Sequence, residues 1–238
     1  MKKDQLTKFI EKYHLGGNVE SVKLEIKEKK LKAKFQTEDK TLLGVALLEN
    51  FDMEDAEIGI FETSEFIKIL GAMESEIKME LNVVNERIAS IKLTDKQLKT
   101  TYVVTDPELI PKASTLKKLP DFDVEMPITE DFVTNFLKGK AALSESKNVA
   151  VNTADGKLEF IMNYSEINTS RISFKTDAKI ENNINFISFN SDYLKAILVA
   201  NKDSKTSMLK VSSKGLMELE FKSEGFLSKY YLVQLQFS

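Results

Sequence analysis

Thr105-Asp106-Pro107-Glu108-Leu109-Ile110-Pro111, followed by Pro120 and Pro127, holds all four prolines of the 238-residue chain and sits near its midpoint. Proline removes a backbone donor and restricts the residue before it, so this stretch cannot be helix interior or central strand. It predicts a stiff connector over 105–121. The flanks decide the fold, because they repeat each other at a constant offset of 127 residues. Asp4-Gln5-Leu6-Thr7-Lys8-Phe9-Ile10 aligns with Asp131-Phe132-Val133-Thr134-Asn135-Phe136-Leu137, and Ser64-Glu65-Phe66-Ile67-Lys68-Ile69-Leu70 with Ser191-Asp192-Tyr193-Leu194-Lys195-Ala196-Ile197. With a small slip, Thr101-Tyr102-Val103-Val104 resembles Tyr230-Tyr231-Leu232-Val233. Matching segments at one offset argue for tandem domains of one fold, 1–104 and 122–238.

The periodicities in each half agree. Leu6, Phe9, Ile10 and Tyr13 share one face of a helix over 3–13. Val22, Leu24 and Ile26 alternate with Lys23 and Glu25, as a half-buried strand does. Further helices are predicted at 63–73, 130–143 and 191–200. Strands fill most of the rest, with turns at Asn85-Glu86 and Asp155-Gly156. The class is α+β: two similar domains, each of antiparallel sheets with two helices on one face.

Composition narrows function by exclusion. The chain is 42% hydrophobic and 30% charged with a net charge of −3, which predicts no general attraction to nucleic acid or anionic membrane. No apolar run approaches the ~18 residues of a membrane span, and Met1-Lys2-Lys3-Asp4 leads into an amphipathic segment rather than a signal-peptide core. The absence of cysteine excludes disulfides and thiolate metal sites and fits a cytoplasmic location. Nine glycines form neither a Walker loop nor G-x-G-x-x-G, and no serine has a nucleophile-elbow setting. The single histidine, His14, is expected to be exposed or to cap its helix. Asp121-Phe122-Asp123 pairs two carboxylates with no metal-ligand partners nearby. No catalytic residue, cofactor or metal is expected.

A lysine pattern remains. Lys8, Lys12, Lys68, Lys138, Lys140, Lys195 and, just beyond the fourth helix, Lys202 fall on or beside the four helices. Compact ammonium groups suit sequence-independent phosphate contact. The tandem β-rich domains, the proline-bearing connector and the helix lysines together resemble a DNA sliding clamp of the two-domain type. The phage T4-type polymerase clamps and the eukaryotic and archaeal proliferating-cell clamp share that plan; Ser64–Leu70 and Tyr230-Tyr231-Leu232-Val233-Gln234-Leu235 point to the phage type. A chain with only Arg87 and Arg171 departs from the family's use of arginine.

The resemblance implies a non-enzymatic homotrimeric ring around duplex DNA, helices lining the hole with the seven lysines toward the phosphates. It implies a subunit contact between the strand near 97–104, with Thr100, Tyr102 and Val104, and the strand near 171–176, with Arg171, Ser173 and Lys175. A pocket beside the connector, formed by Leu109, Ile110, Leu116, Leu119 and Leu232, would take peptides of the DNA polymerase and clamp loader. A tandem-domain interaction or phage assembly protein without DNA binding is the alternative the residues leave open.

Overall fold

A computed structural model describes residues 1–167 and 169–236. Its chain divides into two compact units, residues 1–38 with 44–114 and residues 39–43 with 115–238. The connector is therefore shared, passing from the first unit to the second after Ser114.

In the first unit, α1 (Lys3–His14) and α2 (Thr63–Ala72) lie side by side. One sheet runs in the order β3 (Leu42–Leu48, of which 44–48 belong here), β2 (Lys30–Gln36), β1 (Val22–Lys27) and β4 (Ala56–Ile60). The other is the meander β5 (Lys78–Val84), β6 (Arg87–Thr94) and β7 (Lys99–Val103). The apolar stripe read in the sequence is the buried one: Leu6, Phe9, Ile10 and Tyr13 are all at most 1% exposed. Burying each such side chain is worth roughly 1.5–3 kcal/mol. Tyr13 meets Phe35 of β2 and Phe66 meets Tyr102 of β7, so each helix is pinned to a different sheet.

The start of the connector bridges to β4, the edge strand of the β1–β4 sheet. Thr105 donates its N–H to the Gly59 carbonyl, and a Cβ on Gly59 would run into the Thr105 carbonyl and the Ile110 side chain. Only glycine permits that approach. Further along the connector, the Ser114 N–H donates to Gln36 Oε1 at 2.8 Å.

In the second unit, one sheet is ordered β12 (Lys179–Ile180), β8 (Val124–Pro127), β14 (Thr206–Ser212), β15 (Leu216–Ser223), β16 (Phe226–Val233). The other is β11 (Ile172–Thr176), β10 (Lys157–Met162), β9 (Asn148–Ala154), β13 (Ile187–Asn190). Helices α3 (Glu130–Ala142) and α4 (Ser191–Ala200) pack together over this second sheet. Phe132, Phe160 and Phe174 form the aromatic seam beneath α3. A buried chain of bonds from Ser228 to Asn201, and from Asn201 to Tyr230, ties the end of α4 to β16.

Three elements escape the sequence reading, one of them the 3-10 turn Leu15–Gly17 after α1. The two-residue strand β12 is too short to show a period, and Pro107–Leu109 forms a 3-10 turn capped by Asp106. Asp123 proves structural. It is buried and accepts from the Ser213 N–H and from Asn182, bonds that hold its carboxyl below the usual range.

Candidate functional site

Among the described residues no group of three or more His, Asp or Glu side chains could hold a metal. A cavity of about 300 Å³ opens beside Leu48, Phe51 and Met53, but its acidic Asp52 is already paired with Lys29. The surfaces that remain are the helix faces, the sheet edges and the connector.

The structure divides the seven helix lysines. Lys8, Lys68, Lys138, Lys195 and Lys202 are exposed. Lys12 and Lys140 are 1% and 3% exposed, so neither presents its ammonium to a ligand. The reason is explicit at Lys140, whose Nζ donates to the Ser144 and Ser146 carbonyls and pairs with Asp192 at 2.7 Å. A buried ammonium persists only when its donors are matched in this way. The exposed faces also carry Asp4, Glu11, Glu65, Glu130 and Asp131, so the lysines stand among carboxylates.

The junction of the two helices in each unit explains both His14 and Lys140. At the repeat offset, Glu20 corresponds to Lys147 and Glu65 to Asp192. Glu20 reaches the N-terminus of α2, accepting from the Ser64 N–H at 2.9 Å and the Ser64 hydroxyl at 2.5 Å. His14 Nε2 lies 3.1 Å from both Glu20 and Ser64. The histidine is therefore 8% exposed and bonded rather than solvated. In the second unit the signs are exchanged, and Asp192 in the first turn of α4 takes Lys140 and Lys147.

Partial burial pushes the Glu20 carboxyl up, and the bonds from Ser64 and His14 more than offset this, leaving it below the ordinary carboxylate value. Its stabilisation is thus complete above that ordinary value and disappears as pH falls through the lowered one. Glu20→Gln is expected to cost about 1 kcal/mol at neutral pH, a helix-cap magnitude discounted for solvent exposure. Urea melts should show the deficit shrinking below the usual carboxylate range; a deficit independent of pH would contradict the assignment.

Strands β7 and β11 each end a sheet and are hydrogen-bonded to one strand only, as are β5 and β13 at the other ends of the same two sheets. The Val104 N–H donates to the Ala89 carbonyl. Antiparallel alternation then turns Thr100 and Tyr102 toward β6 and puts the backbone groups of Thr101 and Val103 on the open side. Tyr102 is 4% exposed with its hydroxyl on the Glu62 carbonyl, whereas Val103 is 75% exposed. The outward set is thus displaced by one residue from Thr100, Tyr102 and Val104. On β11 the ladder with β10 fixes which backbone groups face the open side. The Asn163 N–H donates to the Asn148 carbonyl, so alternate residues of β10 face β9. Ile172 and Phe174 then face β10, and Ser173 and Lys175, with Arg171 just before the strand, face outward.

The five apolar residues assigned to a peptide pocket also divide. Leu109 is 75% and Leu119 38% exposed, and Leu116 is half-buried. Ile110 is 4% exposed over Gly59, and Leu232 is 1% exposed opposite Met217 on β15. Both are core positions of their own units and cannot offer side-chain surface to a peptide as they stand.

The fold is one that two-domain clamps share. Solved structures make this concrete. Proliferating cellular nuclear antigen (PCNA) from Entamoeba histolytica superposes with a TM-score of 0.77 at 14% identity, over 99% of this chain and 97% of that one. PCNA from A. fulgidus, solved with the C-terminal region of FEN-1 bound, gives 0.76 at 16% identity over 100% and 98%. No family model and no curated protein matches the sequence. At these identities the likeness is one of fold.

Proposed function

We propose that the protein is a non-catalytic DNA sliding clamp, a head-to-tail ring of three copies that encircles duplex DNA and tethers a DNA polymerase. The observation that carries this reading is the pair of open edges, β7 in the first unit and β11 in the second, on a chain with the clamp fold over its whole length. A heterologous contact of one edge with the other leaves a free edge at each end until the ring closes. Exposed Lys8, Lys68, Lys138, Lys195 and Lys202 would attract phosphates loosely, through counterion release and without reading sequence. Loose contact lets the ring slide while topology holds it on DNA. Polymerase and loader peptides would dock beside the connector, at exposed Leu109 and Leu119. The phage-type affinity rests on Ser64–Leu70 and Tyr230–Leu235 alone.

Thr101→Pro tests the ring. Proline there removes a donor on the open side of β7 and leaves the β6 ladder its own bonds, a place where edge strands tolerate proline. The variant is expected to sediment as a folded monomer under conditions that assemble the wild type. A fully assembled Thr101→Pro protein would remove β7 from the contact.

A further inference from the structure

The densest lysine cluster of the chain lies away from the helices. Residues 23–34 hold Lys23, Lys27, Lys29, Lys30, Lys32 and Lys34 against only Glu25 and Glu28, in a protein of net charge −3. The β1–β2 hairpin gathers them. Leu24, Ile26, Leu31, Ala33 and Phe35 point into the core, which sends Lys23, Glu25, Lys27, Lys30, Lys32 and Lys34 to the outer face. The register sets Lys23 opposite Lys34, Glu25 opposite Lys32, and Lys27 opposite Lys30.

Like charges directly opposite across a ladder are destabilising. Lys23 is relieved by Glu57 at 2.7 Å and Lys29 by Asp52 at 3.1 Å. Lys27, Lys30, Lys32 and Lys34 form no ion pair with any described residue. Lys27 faces Lys30 with an ion pair at neither, an arrangement that an anionic ligand would stabilise.

We infer that the outer face of the β1–β2 hairpin is a docking surface for an acidic polypeptide segment of a partner protein. The site lies on the sheet face opposite the helices and holds for a monomer or a ring alike, so it goes beyond the clamp reading. Charge complementarity selects an acidic partner, and the arrangement selects a polypeptide over a nucleic acid. Glu25 sits within the lysine grid and faces Glu57 on β4 as well as Lys32. A phosphodiester chain, charged at every residue, would set phosphates against these carboxylates. An extended peptide places same-side side chains roughly 6.6–6.8 Å apart, matching the lysine rows, and can leave a neutral residue over Glu25. The outward positions of β1 and β2 also hold no aromatic ring for base stacking and no arginine fork.

The probe is fluorescein-labelled octaglutamate, followed by anisotropy at low salt with the full-length protein. Wild type is expected to bind it, with affinity falling as salt rises. Replacing Lys27, Lys30, Lys32 and Lys34 together with glutamine should weaken binding at least about tenfold. A charge-matched control replacing Lys157, Lys179, Lys205 and Lys222 should bind as wild type does. The first variant should melt no lower than wild type, because its like-charge pairs are gone. No binding by wild type, or equal weakening in both variants, would overturn the assignment. Tighter binding of octathymidylate than of octaglutamate, lost in the first variant only, would make the face a nucleic-acid surface and refute the peptide reading.

Discussion

Replacing Lys8, Lys68, Lys138 and Lys195 together with glutamate is expected to drop the processivity of a partner polymerase to its unassisted level, while the protein stays folded and keeps its oligomeric mass. All four side chains are exposed on helices, so the substitutions disturb no core. Their effect on DNA is large because phosphate attraction is cumulative. Each neutralised phosphate adds about 0.9 to the slope of log affinity against log salt, and reversal replaces attraction with repulsion. The neighbouring Asp4, Glu11, Glu65, Glu130 and Asp131 already dilute the field, so little positive potential would survive. Primer extension on a long template, with a challenge DNA to trap released polymerase, reads the result. Undiminished extension by the folded variant would remove these lysines from the DNA path.

The second large effect concerns stability. Asp192→Ala is expected to cost about 3 kcal/mol, because it strands the Lys140 ammonium at 3% exposure without its carboxylate. For a chain of this size that corresponds to a fall of roughly 6–12 °C in melting temperature. Lys140→Met should cost much less, since Asp192 keeps Lys147 at 3.0 Å and the methionine stem fills the same space. Burial pushes the Asp192 carboxyl up, and the bonds from the two lysines outweigh this and hold it below its ordinary value. Its contribution is therefore intact at neutral pH and lost as pH falls through that lowered value. Equal melting of Asp192→Ala and wild type would show that the buried lysine finds adequate partners in the Ser144 and Ser146 carbonyls alone.

The two helix–sheet units were legible because their signals are periodic and local. The helix stripes at Leu6, Phe9, Ile10 and at Phe132, Phe136 needed only a 3.6-residue period, and the 127-residue offset supplied the tandem plan. What the sequence hid depends on partners distant in the chain. Nothing local marks Lys140 as buried, since its counter-charge is Asp192, five strands further along the chain. His14 looks like a helix-end residue until Glu20 and Ser64 close around it. Ile110 and Leu232 have the composition of a peptide pocket, but their own sheets cover them. The open-side positions of β7 fall one residue away from Thr100, Tyr102 and Val104, because side-chain alternation in the sequence does not reveal which backbone groups face an open edge. The lysines of β1 and β2 were readable as charge; only the register shows like facing like.

Sliding without release requires a closed assembly. Light scattering at protein concentrations well above micromolar measures absolute mass without an assumed shape. A mass near three times the 27.0 kDa of the chain is the predicted result, with the β7 and β11 edges satisfied by neighbouring copies. A single species at 27.0 kDa across the whole concentration range would contradict the ring, and with it the sliding mechanism.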